Sequence, residues 1–217
     1  NIDTFLRRYA VPVHQNLVLN TQDEAECVAR GDLDMVACGS CGLVFNAAFD
    51  PDVLLYGENY DNTQHCSAFF SAYMDDLVRE FVVDKGVRNR RIVEVGCGKG
   101  SFLRRLIAFP DSGNTGIGFD PSYIGPEADL EGRLSFRREY YGPEAAAVRA
   151  DVVVCRHVIE HVPNPLQLLR SVRQALQDSE SSRVFFETPC VEWILENQVL
   201  WDLFYEHCSL FSVQSLE

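Results

Sequence analysis

No stretch of the sequence approaches the roughly 18 consecutive apolar residues that a membrane-spanning helix needs. The first residues, NIDTFLRRYAVPVHQN, also lack the apolar centre of a secretion signal. Internal repeats and low-complexity segments are missing as well, which excludes repeat architectures. We therefore expect a globular cytoplasmic protein that does not associate with membranes, with enough hydrophobic residues to fill a core.

Positive charge is scarce, because 19 Lys and Arg residues stand against 32 Asp and Glu residues, for a formal net charge of -13. Nucleic acids attract clustered Lys and Arg through their phosphate backbone. We therefore expect no nucleic-acid partner. The sequence gives no basis for predicting an oligomeric state.

Eight cysteines without a secretion signal are better explained as thiols or metal ligands than as disulfide partners. Two of them, Cys38 and Cys41, form a C-x-x-C turn in CGSCG, where glycines let backbone N–H groups point at thiolate sulfurs. This pattern predicts zinc ligands. Structural zinc takes about four ligands and one such turn supplies two, so a pair of reduced thiols is the alternative.

The chain changes in character along its length. Residues 1–62 lack long periodicity and are rich in turns, which predicts a small irregular module. Residues 63–217 form the main domain, and it begins with SAYMDDLVREFVVDKG, a helical pattern that stops at Gly86. The first residue is Asn1 rather than Met, so we expect the amino-terminal module to be truncated.

Short apolar runs then alternate with helical stretches. The predicted strands are RRIVEVG, TGIGFD, RLSFRR, DVVVC and RVFFETP, and the predicted helices among them are SFLRRLIAF and LQLLRSVRQAL. This rhythm predicts an α/β fold, a Rossmann-like, doubly wound and mostly parallel sheet with helices on both faces. Ligands of such sheets bind at the carboxyl ends of the strands, so the residues that follow each strand are candidates.

A glycine-rich turn follows the first of these strands in VEVGCGKG. Gly96, Gly98 and Gly100 permit a tight turn and a close approach of a ligand to the backbone. The second strand ends in Asp120, where a carboxylate can accept both ribose hydroxyls of an adenosine cofactor. A structural turn with a capping Asp is the alternative.

Two details distinguish a nucleoside from a dinucleotide ligand. The dinucleotide fingerprint G-x-G-x-x-G needs glycine at position 101, where this chain has Ser101. Glu94, two residues before the first glycine, can face the ammonium group of an amino acid. Both details favour S-adenosylmethionine over NAD.

The segment RHVIEH contains the zinc-peptidase order H-x-x-E-H, with His157, Glu160 and His161. A helical zinc site of that type needs several turns, but Pro163 and Pro165 follow at once and allow at most one turn. We therefore expect a loop rather than a peptidase site. His157 is the residue we expect to face the cofactor or the substrate.

VEVGCGKG, GFDPS and DVVVCRHVIEHVPNPLQLL in this order resemble the first, second and fourth motifs of class I S-adenosylmethionine-dependent methyltransferases, over roughly residues 73 to 217. The resemblance implies that Gly96 and Gly98 lie beside the methionine part of S-adenosylmethionine. It also implies that Glu94 helps hold the amino group of the cofactor and that Asp120 binds its ribose. The acceptor is then a small molecule. The full set of predicted cofactor-binding residues is Glu94, Gly96, Cys97, Gly98, Asp120, Pro121, Arg156 and Tyr60.

Two further stretches, CGSCGLVFN before YGENYDN, and FYEHCSLFS, resemble the deoxysugar C-methyltransferases and their relatives, which carry an amino-terminal zinc-binding module. In that group the second stretch reads Tyr-Asp-Glu-His, so Glu206 and His207 carry over directly. The tyrosine position holds Phe204, and Tyr205 follows it. The resemblance implies that Glu206 and His207 lie at the reacting carbon. We infer that His207 is a general base with Glu206 as its orienting partner, and the alternative is a polar pair that fixes the loop over the pocket. Tyr205 and His157 are further catalytic candidates.

The resemblance leaves two alternatives open. One is a nicotinamide-dependent oxidoreductase, which Ser101 disfavours, and the other is a non-catalytic cofactor-binding module of a larger enzyme. Because methyltransferases of this class continue into a final antiparallel pair of strands, we expect the domain to be incomplete at its carboxyl end. The acceptor, a sugar nucleotide or a natural-product intermediate, and the choice among carbon, oxygen and nitrogen stay open.

Overall fold

A computed structural model describes residues 2–54 and 67–216 of the chain. The described strands are β1 (Ile2–Pro12), β2 (Arg30–Cys38), β3 (Val44–Asn46), β4 (Arg91–Val95), β5 (Thr115–Phe119), β6 (Ala128–Asp129), β7 (Leu134–Arg137), β8 (Val152–Arg156), β9 (Arg183–Glu187) and β10 (Ser209–Leu210). The described α-helices are α1 (Gln22–Glu26), α2 (Ala68–Arg79), α3 (Ser101–Ala108), α4 (Pro165–Leu176), α5 (Val191–Glu196) and α6 (Val213–Leu216).

Internal contacts divide the chain into two compact units. The first unit comprises Asn1–Tyr60, His157–Pro165 and Glu187–Glu217, and the second comprises Asp61–Arg156 and Leu166–Phe186. Two segments from the carboxyl-terminal half thus belong with the amino-terminal residues. As a division into folding domains, 1–62 and 63–217 stays a prediction.

The second unit contains the predicted α/β sheet, in the order β6-β7-β5-β4-β8-β9. The strands β4, β5, β7 and β8 pair in parallel, and β6 pairs antiparallel with β7 at one edge. Both faces of β4 and β8 are buried, as expected for central parallel strands whose faces are covered. The predicted α/β fold with a mostly parallel sheet is confirmed.

The helices of the second unit begin and end where the sequence signals place them. α3 starts directly after Gly100, ends before Pro110 and buries one face. α4 starts at Pro165, whose missing N–H costs nothing at the first helical position. α2 continues into one π-helical turn, Glu80–Asp84, and the chain leaves it through Gly86 at φ +65°. The buried faces of α2, α3, β4, β7 and β8 share one hydrophobic core.

The first unit contains a second, antiparallel sheet in the order β1-β2-β3-β10. The prediction of an irregular module for residues 1–62 is wrong for the described part, because β1 and β2 pair from Ile2–Cys38 to Pro12–Arg30. Most side chains of β1 are exposed on both faces, so the strand has no apolar alternation to read. The core of this unit lies around Leu33, Met35 and Tyr205 instead.

Among the residues that the structure describes, no helix is long and apolar enough to cross a membrane. The seven described cysteines form no disulfide.

Candidate active site

The glycine turn between β4 and α3 in the second unit has the conformation that its sequence demands. Gly96, Gly98 and Gly100 all have positive φ, at +66°, +53° and +74°. Residues with a Cβ rarely adopt this left-handed region. At Gly100 space also matters, because an added Cβ would lie 2.4 Å from the Phe136 ring. The backbone N–H of Gly96 donates to the Phe119 carbonyl at 2.8 Å, which ties the turn to the end of β5.

Glu94 lies on β4 just before this turn and is almost fully buried, with 3% of its surface exposed. Its Oε2 has no hydrogen-bond partner among the described residues. Burial raises the pKa of Glu94 to about 8, against the opposing effect of the Arg156 guanidinium, and the Asp120 carboxylate raises it further. A buried carboxylate without a partner costs several kcal/mol in principle, so a cation or donor from a ligand would stabilise it.

Asp120 follows β5 and holds the turn from the other side. Its Oδ2 accepts the N–H of Gly98 at 2.8 Å, and its Oδ1 accepts the N–H and the hydroxyl of Ser122 at 2.8 and 2.6 Å. A carboxylate offers about four acceptor positions, so three of them are used. Asp120 therefore stabilises the turn as a capping residue does. It can bind both ribose hydroxyls only if the Ser122 hydroxyl gives up its hydrogen bond to Asp120.

Three further predicted cofactor residues surround the turn. Cys97 is buried, its Sγ would lie 2.7 Å from a Cβ added to Gly118, and burial raises the pKa of its thiol. Only the backbone of Cys97 is therefore suited to a ligand. Arg156 ends β8, with its guanidinium 4.5 Å from the centre of the Phe102 ring and Nη1 3.3 Å from the Met74 sulfur.

Pro121 is partly buried and directly follows Asp120. Tyr60, the remaining predicted cofactor residue, lies outside the described residues. The turn and Asp120 fit a ligand that carries a nucleoside. The buried Glu94 oxygen that has no hydrogen bond among the described residues fits the ammonium group of an amino acid.

The first unit contains a second polar group, which we name the histidine cluster and define as Glu160, His161 and His207. One ligand-type atom from each side chain lies within 4.8 Å of the others, and this is the one such group of three among the described His, Cys, Asp and Glu residues. Glu160 and His161 lie in a single 3₁₀ turn, Ile159–His161, as the two prolines predict. The two histidine rings are 4.9 Å apart in an edge-on arrangement.

Glu160 is fully buried at the centre of the cluster. Its Oε2 accepts the Thr188 hydroxyl at 3.0 Å, whereas Oε1 has no hydrogen-bond partner and lies 3.7 Å from His157 Nδ1. Burial alone would raise the pKa of Glu160, but His157, His161 and His207 outweigh it and lower the pKa.

His157 is half exposed and has a left-handed backbone, at φ +53°. A non-glycine residue in this region stores about 1–3 kcal/mol of strain, and such residues concentrate at functional sites. The neighbouring carboxylates of Glu160 and Glu187 raise the pKa of His157 to about 9, and its Nε2 lies 3.3 Å from Glu187 Oε1. His157 is therefore a cation at neutral pH.

His207 has the opposite character. Burial, followed by repulsion from His161, lowers its pKa to about 4, so the ring is neutral at pH 7. Its Nδ1 lies 3.0 Å from the Asp202 carbonyl, which accepts only, so Nδ1 carries the proton. The orienting partner of His207 is thus this carbonyl rather than Glu206.

The Glu206 side chain is bound elsewhere. Its Oε2 accepts the N–H of Gln15 at 2.8 Å, and its Oε1 lies 3.4 Å from His14 Nδ1. Tyr205 is buried in the core, where its hydroxyl accepts the N–H of Asp50 at 2.8 Å. Both arrangements hold the amino-terminal segment of this unit together. A catalytic role for Glu206 or Tyr205 stays a prediction.

Cys38 and Cys41 lie at the end of β2 and in the turn that follows it. Hydrogen bonds from the Ser40 and Cys41 backbone, then from the Cys41 side chain, lower the pKa of Cys38. The thiols are therefore close together. No third ligand joins them among the residues described, so the pair supplies half of a structural zinc site at most.

One feature was beyond the reach of sequence reasoning. His161 and His207 are 46 positions apart, and no spacing rule connects a residue of a 3₁₀ turn with one in a distant loop. The motif H-x-x-E-H indicates His161 as a candidate, and the stretch FYEHCSLFS indicates His207. Their convergence with Glu160 appears only in the fold.

Comparison with curated proteins gives relatives that match part of the chain. The ubiquinone biosynthesis O-methyltransferase of Vibrio campbellii is 33% identical over 123 residues, which cover 53% of this chain and 51% of that protein. The protein of the same name from Citrobacter koseri is 31% identical over 109 residues, covering 48% and 44%. The chain spans about half the length of the curated relatives it matches.

Solved structures give weaker likenesses. The plantazolicin methyltransferase BpumL, in complex with a monoazolic desmethylPZN analog and SAH, is 18% identical with a TM-score of 0.45, covering 68% of this chain and 60% of that chain. A SAM dependent methyltransferase from Archaeoglobus fulgidus is 18% identical with a TM-score of 0.44, covering 69% and 71%. Values this low carry no argument about function.

The family comparison covers most of the main domain. A family model described as a methyltransferase domain matches residues 66–217, more than two thirds of the chain. The match includes the glycine turn, Asp120 and the segment after β8, which are the motifs on which the sequence-based resemblance depends. The chain therefore belongs to the methyltransferase domain family, and the predicted resemblance to the class I methyltransferases is confirmed at the level of the family.

Proposed function

We propose that the protein transfers a methyl group from S-adenosylmethionine to a small-molecule acceptor. The observation that carries this proposal is the buried Glu94 carboxylate beside the glycine turn, because its Oε2 has no partner among the described residues. The methionine part of the cofactor offers an ammonium group, which such a carboxylate would bind. NAD offers no comparable group at this position.

The roles of the other residues follow from the same geometry. Gly96 and Gly98 let the cofactor approach the backbone, since their positive φ leaves that face of the turn without side chains. Asp120 accepts a ribose hydroxyl in exchange for the Ser122 hydroxyl. Arg156 and the backbone of Cys97 complete the pocket, and we keep Pro121 and Tyr60 as contacts of the nucleoside.

For the acceptor we propose a carbon or oxygen nucleophile on a sugar nucleotide or a natural-product intermediate. Methyl transfer is an in-line displacement, so the nucleophile needs positioning and often loses a proton. His157, as a cation at neutral pH, is suited to stabilise an oxyanion on the acceptor. The relatives from Vibrio campbellii and Citrobacter koseri are named O-methyltransferases, which supports including oxygen acceptors.

The cofactor is tested by calorimetric titration of the full chain with S-adenosylhomocysteine and with NAD. Gly98→Ala and Gly132→Ala form a matched pair, because both glycines have positive φ and open space around an added Cβ. Both variants place a side chain at a positive φ, +53° at Gly98 and +84° at Gly132, but only Gly98 lies in the turn. We expect Gly98→Ala to weaken S-adenosylhomocysteine binding at least tenfold and Gly132→Ala to change it less than threefold.

Other outcomes of this titration contradict the proposal in different ways. Binding of NAD alone supports the nicotinamide-dependent oxidoreductase. Binding of S-adenosylhomocysteine without methyl transfer to any carbon, oxygen or nitrogen acceptor in a broad panel supports the non-catalytic module. Equal losses in Gly98→Ala and Gly132→Ala would mean that the turn is not the binding site.

Zinc at Cys38 and Cys41 stays a separate prediction, and no step of the proposed reaction depends on it. Two thiols with a lowered pKa at Cys38 suit zinc chemically, but the described residues supply too few ligands. Elemental analysis of the purified protein would test it. A metal content that is the same in Cys38→Ser and the unaltered protein would leave the pair as ordinary thiols.

A further inference from the structure

We propose that Glu160, His161 and His207 form a binding site for a single divalent metal ion, with zinc as the first candidate. This site lies within the first unit and involves neither Cys38 nor Cys41. The proposal does not depend on methyl transfer.

The spacing of the cluster is compatible with coordination of one ion. Ligand atoms about 2.1 Å from a tetrahedral zinc ion are roughly 3.4 Å from one another. The three ligand atoms of the cluster already lie within 4.8 Å of one another. Small side-chain rotations, which shorten the longest separation by roughly 1.4 Å, would complete the site.

Both histidines are held in the tautomer that binds metals. His161 Nδ1 lies 3.0 Å from the Glu206 carbonyl, and His207 Nδ1 lies 3.0 Å from the Asp202 carbonyl. A carbonyl only accepts, so each Nδ1 carries the proton and each Nε2 carries the lone pair. Metal-binding histidines typically have this arrangement, with the second nitrogen bound to a carbonyl or carboxylate that fixes the ring.

Glu160 supplies the independent observation that points to a ligand. The side chain is fully buried, one oxygen is held by Thr188, and the other has no hydrogen bond among the described residues, its ion-pair partner His157 Nδ1 lying 3.7 Å away. A buried carboxylate oxygen whose nearest partner is beyond hydrogen-bond distance can accept a closer ligand. A divalent ion between this oxygen and the two imidazoles would satisfy it.

The composition of the ligand set indicates the class of metal. Two imidazoles and one carboxylate suit borderline ions such as Zn²⁺, Co²⁺ and Fe²⁺ better than Mg²⁺ or Ca²⁺, which prefer oxygen ligands. Three protein ligands leave at least one coordination position for water or for an oxygen atom of a bound molecule.

The test measures zinc binding in a background that lacks the competing thiols. The full chain carrying Cys38→Ser and Cys41→Ser is stripped with a chelator, titrated with ZnCl₂ and, separately, with CoCl₂. We expect one Zn²⁺ per chain, and visible Co²⁺ absorption bands that report nitrogen and oxygen ligands. In the same background, His161→Ala and Glu160→Gln should each weaken zinc binding at least tenfold.

His14→Asn is the matched control, because it removes a histidine of the same unit that is not a proposed ligand and whose Nδ1 lies 3.4 Å from Glu206 Oε1. It should leave zinc affinity within threefold. Far-UV circular dichroism identifies variants that fail to fold, and His161→Gln then replaces His161→Ala. No stoichiometric zinc in the serine background, or affinity unchanged in a folded His161 variant, would overturn the proposal.

Discussion

Replacing Glu94 with Gln separates the stability of the second unit from its ability to bind a cofactor. Glu94 is buried, and its pKa is raised from 4.5 to about 8, mainly by that burial. The unfolded chain therefore releases this proton at lower pH than the folded chain does. The contribution of Glu94 to stability is complete below about pH 4.5, decreases as the pH rises, and is lost above about pH 8.

The size of the effect follows from the shift. At about 1.4 kcal/mol per pKa unit, ionisation of Glu94 lowers the free energy of unfolding by at most about 5 kcal/mol above pH 8 and by at most about 3 kcal/mol at pH 7. Gln has a similar shape and does not ionise. We expect the free energy of unfolding of Glu94→Gln, relative to the unaltered protein, to rise with pH between 5 and 8 by up to about 1.4 kcal/mol per unit. Any cost of burying the amide is constant with pH.

Urea unfolding from pH 5 to 9 measures this difference. Far-UV circular dichroism reports on the whole chain, while both tryptophans, Trp193 and Trp201, lie in the first unit and report on it alone. Asp151→Asn is the control, since the pKa of Asp151 is about 2 and it does not titrate in this range. A stability difference for Glu94→Gln that stays constant within about 0.5 kcal/mol would refute the reasoning.

The same variant has the opposite effect on binding. The ammonium group of S-adenosylhomocysteine should favour ionised Glu94, so the affinity of the unaltered protein should rise with pH by up to tenfold per unit below pH 8. Glu94→Gln should bind more weakly, with a flatter dependence on pH. If Glu94→Gln is more stable above pH 7 and binds S-adenosylhomocysteine more weakly, then Glu94 lowers the stability of the protein and contributes to cofactor binding.

Three further substitutions test single contacts by urea unfolding. Asp151→Asn should destabilise by about 1 kcal/mol at pH 7, because Arg91 lowers the pKa of Asp151 to about 2 and the pair is partly exposed. Asp151 stabilises above its unfolded pKa of 3.8 and loses this effect as the pH falls toward 2, so the difference should vanish near pH 2. Gly100→Ala should cost about 1–3 kcal/mol through its positive φ and the Phe136 ring, and equal stability would contradict that clash. Tyr205→Phe should cost about 0.5–1.5 kcal/mol by removing the partly buried hydrogen bond to the Asp50 N–H, and a neutral result would mean that water replaces the hydroxyl.

The sequence predicts the second unit well because its signals are local. The central strands β4 and β8 are mostly apolar and buried, and α3 is bounded by Gly100 and Pro110, so periodicity and turn chemistry are sufficient there. The glycine turn and Asp120 were likewise predictable, since a left-handed turn between a strand and a helix needs glycine at fixed positions. The hydrogen bonds that occupy Asp120 were not, because Ser122 is an unremarkable residue in the sequence.

The first unit was much less predictable, since its contacts connect distant segments. β1 is exposed on both faces, and its strand conformation is stabilised by pairing with β2. No local sequence pattern predicts this pairing. Tyr205 closes the core against Gly31, where an added Cβ would lie 2.2 Å from the ring. Sequence reasoning treated Tyr205 as a catalytic candidate because its neighbours resemble a known motif, whereas its burial depends on a residue 174 positions earlier.

His207 now has two rival roles, general base and metal ligand, and the variant His161→Ala distinguishes them. A pKa of about 4 makes His207 a weak base at pH 7, since a base works best with a pKa near the working pH. His207→Ala should abolish methyl transfer under either role, with cofactor affinity within a few fold. His161→Ala leaves His207 and its bond to Asp202 intact, so a base at His207 would still act.

If His207 acts through a bound metal, His161→Ala should lose zinc and methyl transfer together, and added Zn²⁺ at high concentration should restore part of both. Methyl transfer that persists in zinc-free His161→Ala would exclude the metal from the reaction and leave His207 as the base. The measurement is the initial rate of methyl transfer together with zinc content, in the same preparations of the folded variants. Because the lone pair of His207 Nε2 cannot bind a metal ion and accept a proton at once, these two results exclude each other.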